Sequence, residues 1–144
     1  MCIRDRFNTE AKTVLDGSRG RWLDARDAKV LDEVVASLRK VTPAEGTSLH
    51  AAFGAISAFT PPPDNVFLLT DGLPTQGARP TSATKVSGAE RLRHFEQSVR
   101  RLRGGMPVNV VLFPMEGDPL AASAFWKLAM HTRGSFVSPS KDWP

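Results

Sequence analysis

The chain has 144 residues, of which 41% are hydrophobic, 24% charged and 8% aromatic, the arithmetic of one soluble globular domain that buries about two-thirds of its unfolded surface. These figures exclude a disordered tail, a collagen and a coiled coil, and no stretch approaches the roughly 18 uninterrupted apolar residues of a membrane helix. Nineteen basic against fifteen acidic residues leave +4, which favours solubility but selects no polyanionic partner, and the single Cys2 cannot form an internal disulfide.

The first residues, Met1-Cys2-Ile3-Arg4-Asp5, read as the translation of a transposase adapter used in sequencing libraries. Residues 1–6 are therefore set aside as a scar, and the genuine polypeptide is expected from Phe7 as the remainder of a longer gene. Phe7 to Leu15 and Trp22-Leu23 are expected as extended segments joined by the turn-forming Asp16-Gly17-Ser18-Arg19-Gly20.

From Asp27 to Val41 the apolar residues Val30, Leu31, Val34, Val35, Leu38 and Val41 fall three and four apart, with Asp24 or Asp27 as the cap. That spacing predicts an amphipathic helix. A second helix is expected to open at Thr47 or Ser48, carry Leu49, Ala52, Phe53, Ile56 and Phe59 on one face, and stop at Pro61-Pro62-Pro63. Asn65-Val66-Phe67-Leu68-Leu69-Thr70 lacks alternation, so it reads as a parallel strand buried on both faces, with Asp71-Gly72 at its carboxyl end.

After a Pro/Gly/Thr-rich loop, Ser87-Gly88-Ala89-Glu90 has the form of a capping box ahead of Leu92, Phe95, Val99 and Leu102 at helical spacing. Val108–Phe113 is a second buried strand. Asp118-Pro119 then reads as N-cap and first-turn proline of a helix carrying Leu120, Ala124, Phe125, Leu128 and Ala129, stopped by Gly134. Ser135-Phe136-Val137 reads as an edge strand. The alternation predicts a single α/β domain, Rossmann-like and doubly wound, with a mostly parallel sheet and helices on both faces.

Ligands of open α/β sheets gather at the carboxyl ends of strands, which directs attention to Asp71. Gly46-Thr47-Ser48-Leu49 adds a glycine-preceded hydroxyl opening the helix that leads into the same strand. A hydroxyl and a carboxylate from two loops are hard oxygen donors of the kind Mg²⁺ prefers.

Glu45-Gly46-Thr47-Ser48-Leu49, Asn65–Gly72 and Val108–Phe113 together resemble the later half of a von Willebrand factor A domain, over nearly everything from Phe7 to Trp143. The tail Phe136–Pro144 is similar to the end of a bacterial subgroup. The resemblance implies a metal-ion-dependent adhesion site (MIDAS) that joins a D-x-S-x-S loop, a threonine and an aspartate around Mg²⁺ or Mn²⁺. Thr47 matches the threonine and Asp71 the aspartate. The D-x-S-x-S loop and its strand, the first central strand of the sheet, have no counterpart here, because Asp16–Gly20 ends in glycine and reads as a turn.

With two protein ligands, cation binding is expected to be weak in this chain and to belong to its intact parent. The resemblance further implies recognition rather than catalysis, with the open coordination position taking an acidic side chain of a protein partner. Ser48, Gly72, Leu73, Pro74, Thr75 and Gln76 would flank that position. The bacterial proteins that the chain resembles often carry an anchor upstream, so the resemblance leaves the parent's compartment open.

The nearest enzyme reading is a nucleotide hydrolase, since the strand ending at Asp71 has a Walker B shape, but the chain holds no G-x-x-x-x-G-K-[ST] cradle. No G-x-S-x-G elbow occurs, and His50, His94 and His131 show no metal-ligand spacing. Arg91, Arg93, Arg100, Arg101 and Arg103 read as a solvated helix face rather than a specific nucleic-acid surface. Trp126 and Trp143 read as packing residues.

Overall fold

The computed structural model describes residues 5–7, 9–18, 20–42, 46–79 and 85–139. Along the chain these form β1 (Asp5–Phe7), β2 (Ala11–Thr13), α1 (Ala28–Arg39), α2 (Leu49–Ser57), β3 (Val66–Thr70), α3 (Gly88–Val99), β4 (Val108–Leu112), α4 (Ala121–Thr132) and β5 (Phe136–Val137). The order and the sheet define a small α/β fold of Rossmann-like class. Met1–Arg4, Trp143 and most of the tail lie outside the described residues.

The helices start where their hydroxyl and carboxylate caps stand. Asp27 accepts from the Lys29 amide and Ser48 from Ala51, each satisfying an orphan donor of the first turn. Ser87 and Glu90 complete a reciprocal capping box on α3. At the far end of α4, Arg133 adopts a left-handed conformation and the Gly134 amide donates to the Ala129 carbonyl at 2.8 Å.

The main sheet runs β3-β4-β5, all parallel, with α3 and α4 as crossovers. Val66 and Leu68 of β3 and Val108, Val110 and Leu112 of β4 share one face by register, and they meet Leu49 and Phe53 of α2, Phe95 of α3 and Phe125 and Leu128 of α4 in one core. Phe95 and Phe125 pack edge to face, ring centres 5.0 Å apart. Both crossover helices thus cover the same face, as expected when successive steps move in one direction with one hand.

The other face corrects an expectation. Phe67 is 70% exposed and Leu69 60%, so Val66–Thr70 is buried on one face only, and no described helix covers its second face, where the sequence predicted helices on both. An apolar run without alternation is compatible with both situations, because periodicity reports only polarity. β3 is also the sheet's edge. Its inner bonds, bracketed by Val66 N to Pro107 O and Phe113 N to Thr70 O, leave the Phe67 and Leu69 backbone groups facing outward, and among the described residues no backbone bond reaches them.

The N-terminal hairpin is tighter than its sequence suggests: β1 pairs antiparallel with β2, while Trp22-Leu23 forms no second strand of it. The turn at Asp16–Gly17 instead leads away from β2, fixed by the Ser18 amide and hydroxyl on the Leu15 carbonyl. Trp22 packs against Phe59 and donates its indole N–H to the Pro61 carbonyl at 3.2 Å. Trp126 is 52% exposed, which overturns its reading as a packing residue.

Candidate functional site

Thr47 and Asp71 lie in two loops that are fastened to each other. The Thr47 carbonyl accepts from the amides of both Thr75 and Gln76 at 3.0 Å, and the Thr47 amide donates to Thr75 Oγ1 at 2.9 Å. The approach is so close that a Cβ on Gly46 would stand 2.6 Å from Thr75 Oγ1, which explains the glycine before the threonine. Ser48 is buried, its hydroxyl held as the cap of α2.

Asp71 follows the last residue of β3. Its carbonyl accepts from the Met115 amide at 3.1 Å, so the main chain is anchored to the segment after β4 while the side chain is exposed. Among the described residues, neither the Asp71 carboxylate nor the Thr47 hydroxyl takes part in a side-chain hydrogen bond or ion pair. Both oxygens are therefore free to accept a ligand.

The loop after Asp71 is built largely from buried residues. Gly72, Leu73, Pro74 and Gln76 are buried and Thr75 is half-buried. Of these positions, read from the sequence as flanking a partner, Thr75 shows the most surface and the others form the buried base of the loop.

Leu73 is gripped at both ends of its backbone. Its amide donates to Asp118 Oδ2 at 2.7 Å, and its carbonyl accepts from Arg91 Nε at 3.1 Å and from Arg91 Nη2. Arg91 Nη2 also pairs with Asp118 Oδ2 at 2.9 Å. A Cβ on Gly72 would stand 2.6 Å from that same carboxylate oxygen, so the glycine of Asp71-Gly72 makes room for Asp118.

Asp118 is therefore not the N-cap of α4. The cap position is Leu120, with no side-chain cap bond among the described residues. Two readings change together, because Arg91 lies in this buried pair rather than on a solvated face. Arg101 stays exposed but has a partner: its guanidinium lies over Gly54 and within 2.7 Å of His50 Nε2. Burial, and then the Arg101 charge, hold the His50 imidazolium pKa below its ordinary value.

One hydroxyl and one carboxylate are hard donors, but two protein oxygens make no closed site for a cation that keeps strict octahedral geometry. Among the described residues no three His, Cys, Asp or Glu side chains converge on a point. None of the described helices is long and apolar enough to cross a membrane. Comparison with protein-family models, with curated proteins and with solved structures finds no match for this chain.

Proposed function

We propose that this chain is the later part of a von Willebrand factor A-like interaction module, not an enzyme. In this reading Thr47 and Asp71 supply two of the oxygens that hold Mg²⁺ or Mn²⁺ once an upstream D-x-S-x-S loop completes the set. The ion's role is recognition: it offers an open position to an acidic side chain of a protein partner, and Thr75 is the loop residue best exposed to meet that partner. The observation that supports this most directly is the pair of amide bonds from Thr75 and Gln76 to the Thr47 carbonyl, which unite the threonine loop with the loop after Asp71.

A Mn²⁺ titration followed by electron paramagnetic resonance tests the reading. The chain alone is expected to leave most of the ion in its aqueous signal, and the chain extended by its upstream coding sequence to bind it. Asp71→Ala and Thr47→Val in the extended protein should each abolish that binding. Mn²⁺ bound equally well by both variants would sink the assignment.

A further inference from the structure

We propose that the outward row of α4, centred on Trp126 and Met130, is a docking site for an acidic, amphipathic segment of a partner protein. The core takes the opposite stripe of this helix, Ala121, Ala124, Phe125, Leu128 and Ala129, all of them buried. Trp126 and Met130 stand four residues apart, which makes them neighbours on the outer side, and they are 52% and 59% exposed. Among the described residues Trp126 has no ring partner and its indole N–H has no acceptor. One side chain therefore offers both an apolar face and an unused donor, the combination that makes tryptophan a common anchor of interfaces.

The charges around this pair are mostly of one sign. α4 contains no Asp or Glu. Lys127 and His131 occupy the adjoining row, the imidazole held by its Nδ1 donating to the Lys127 carbonyl at 2.8 Å, and the exposed Arg133 closes the helix. α3 packs beside α4 through Phe95 and Phe125, and on its outer row the exposed Arg93, with Arg100 just past the helix end, outnumbers Glu96. Lys127, Arg133 and Arg100 belong to no ion pair among the described residues. A carboxylate arriving here displaces no other acid, and the surrounding cations steer it towards the apolar anchor.

Other occupants match this row less well. A second copy sets Lys127 and Arg133 against their own equivalents, a like-charge contact. A lipid surface takes an amphipathic helix by its apolar stripe, but that stripe of α4 is turned into the core, which leaves only Trp126 and Met130, roughly 200 Å² of surface. The rest of the domain, with its first central strand, belongs beyond the outward edge of β3, whereas α4 leads to β5 at the other edge and this row faces away from the sheet. The docking site does not depend on the metal-site reading.

Panning a phage library of random dodecapeptides on the immobilised chain tests this, followed by fluorescence anisotropy of the most enriched peptide in solution. The enriched sequences are expected to combine Asp or Glu with Leu, Phe or Trp. Trp126→Ala and Lys127→Glu should each weaken the peptide by about tenfold or more, and Met130→Ala severalfold. Lys29→Glu, the same charge change at an exposed position of α1, should leave its affinity within about twofold. All four side chains are exposed, so folding should survive, which circular dichroism verifies. The proposal is overturned by the absence of enrichment over an uncoated surface, by enriched peptides that lack acidic residues, or by a peptide that binds Trp126→Ala as well as the parent. Equal loss in Lys29→Glu also overturns it, because the attraction then follows net charge and not this row. Trp126-dependent binding to phosphatidylserine vesicles with no peptide enriched assigns the row to lipid and overturns it as well.

Discussion

Arg91 Nη2 lies 2.9 Å from Asp118 Oδ2, with side-chain exposures of 13% and 3%, and both residues bind the backbone of Leu73 between them. A buried carboxylate without its cation is costly to keep, whereas an apolar pair of similar shape is not. Arg91→Met should therefore destabilise the chain by roughly 3 kcal/mol, near the lower end for a broken buried pair. The double variant Arg91→Met/Asp118→Leu should recover part of that loss, short of the hydrogen bond to the Leu73 amide. Urea midpoints of the four species in a double-mutant cycle give the coupling directly. Additive effects would show that the pair does not act as a unit.

Gly134 is the least replaceable glycine. A Cβ there would overlap the Val108 carbonyl and carbonyl carbon, which are backbone of the central strand and cannot swing aside. Gly104 has nothing among the described residues within 4 Å of the same position. Gly134→Ala is expected to cost at least the roughly 1–3 kcal/mol of an overpacked core site, and Gly104→Ala to be near neutral. Comparing their thermal midpoints checks the contrast, and similar small shifts would mean that β4 yields more easily than its pairing on both sides suggests.

Local chemistry made much of the fold legible in advance. Ser87 and Glu90 are three residues apart and cap one helix by their own bonds, so the start of α3 needs no tertiary information. The same holds for Asp27 and Ser48. Asp118-Pro119 shows where this logic stops: its local pattern is that of a cap, yet the carboxylate binds an amide 45 residues away in sequence. No spacing rule links Asp118, Arg91 and Leu73, because the sheet brings them together. The site was legible to the same extent. Glycine and hydroxyl at Gly46-Thr47 and the carboxylate after β3 marked the two loops, but the burial of Gly72, Leu73, Pro74 and Gln76 follows from that clamp and from the Thr47 bonds, neither of which leaves a sequence trace.

The cap of α3 offers a local test. Ser87 Oγ accepts from the Glu90 amide, and the Glu90 carboxylate accepts from both the Ser87 hydroxyl and its amide. Ser87→Ala should cost about 1 kcal/mol, and Ser87→Thr, which keeps a hydroxyl able both to accept from the Glu90 amide and to donate to its carboxylate, should restore most of it. The Ser87 hydroxyl bond, followed by the backbone bond, lowers the Glu90 carboxyl pKa from its ordinary 4.5. The unfolded chain thus binds the proton first, so the stability from this bond is complete above pH 4.5 and is lost as pH falls through the lower folded value. A urea midpoint for Ser87→Ala equal to that of the parent would remove the cap from the account.

His50 should make stability depend on pH in a different window. Its Nδ1 is buried with no hydrogen-bond partner among the described residues, and Nε2 lies 2.7 Å from Arg101 Nη1, so the neutral ring accepts from the guanidinium while the imidazolium faces a like charge. Burial and then Arg101 lower its pKa from 6.5, so the unfolded chain takes up the proton before the folded one does. The sign follows: the contribution is complete above pH 6.5, and it is lost as pH falls from there through the folded value. Arg101→Gln removes the like charge and leaves the burial, so it should reduce this slope without abolishing it. His50→Gln should abolish the slope and keep a hydrogen-bonding side chain beside Arg101. Urea midpoints measured across the range just below pH 6.5 report the effect, and an unchanged slope in His50→Gln would assign the acid sensitivity to other groups.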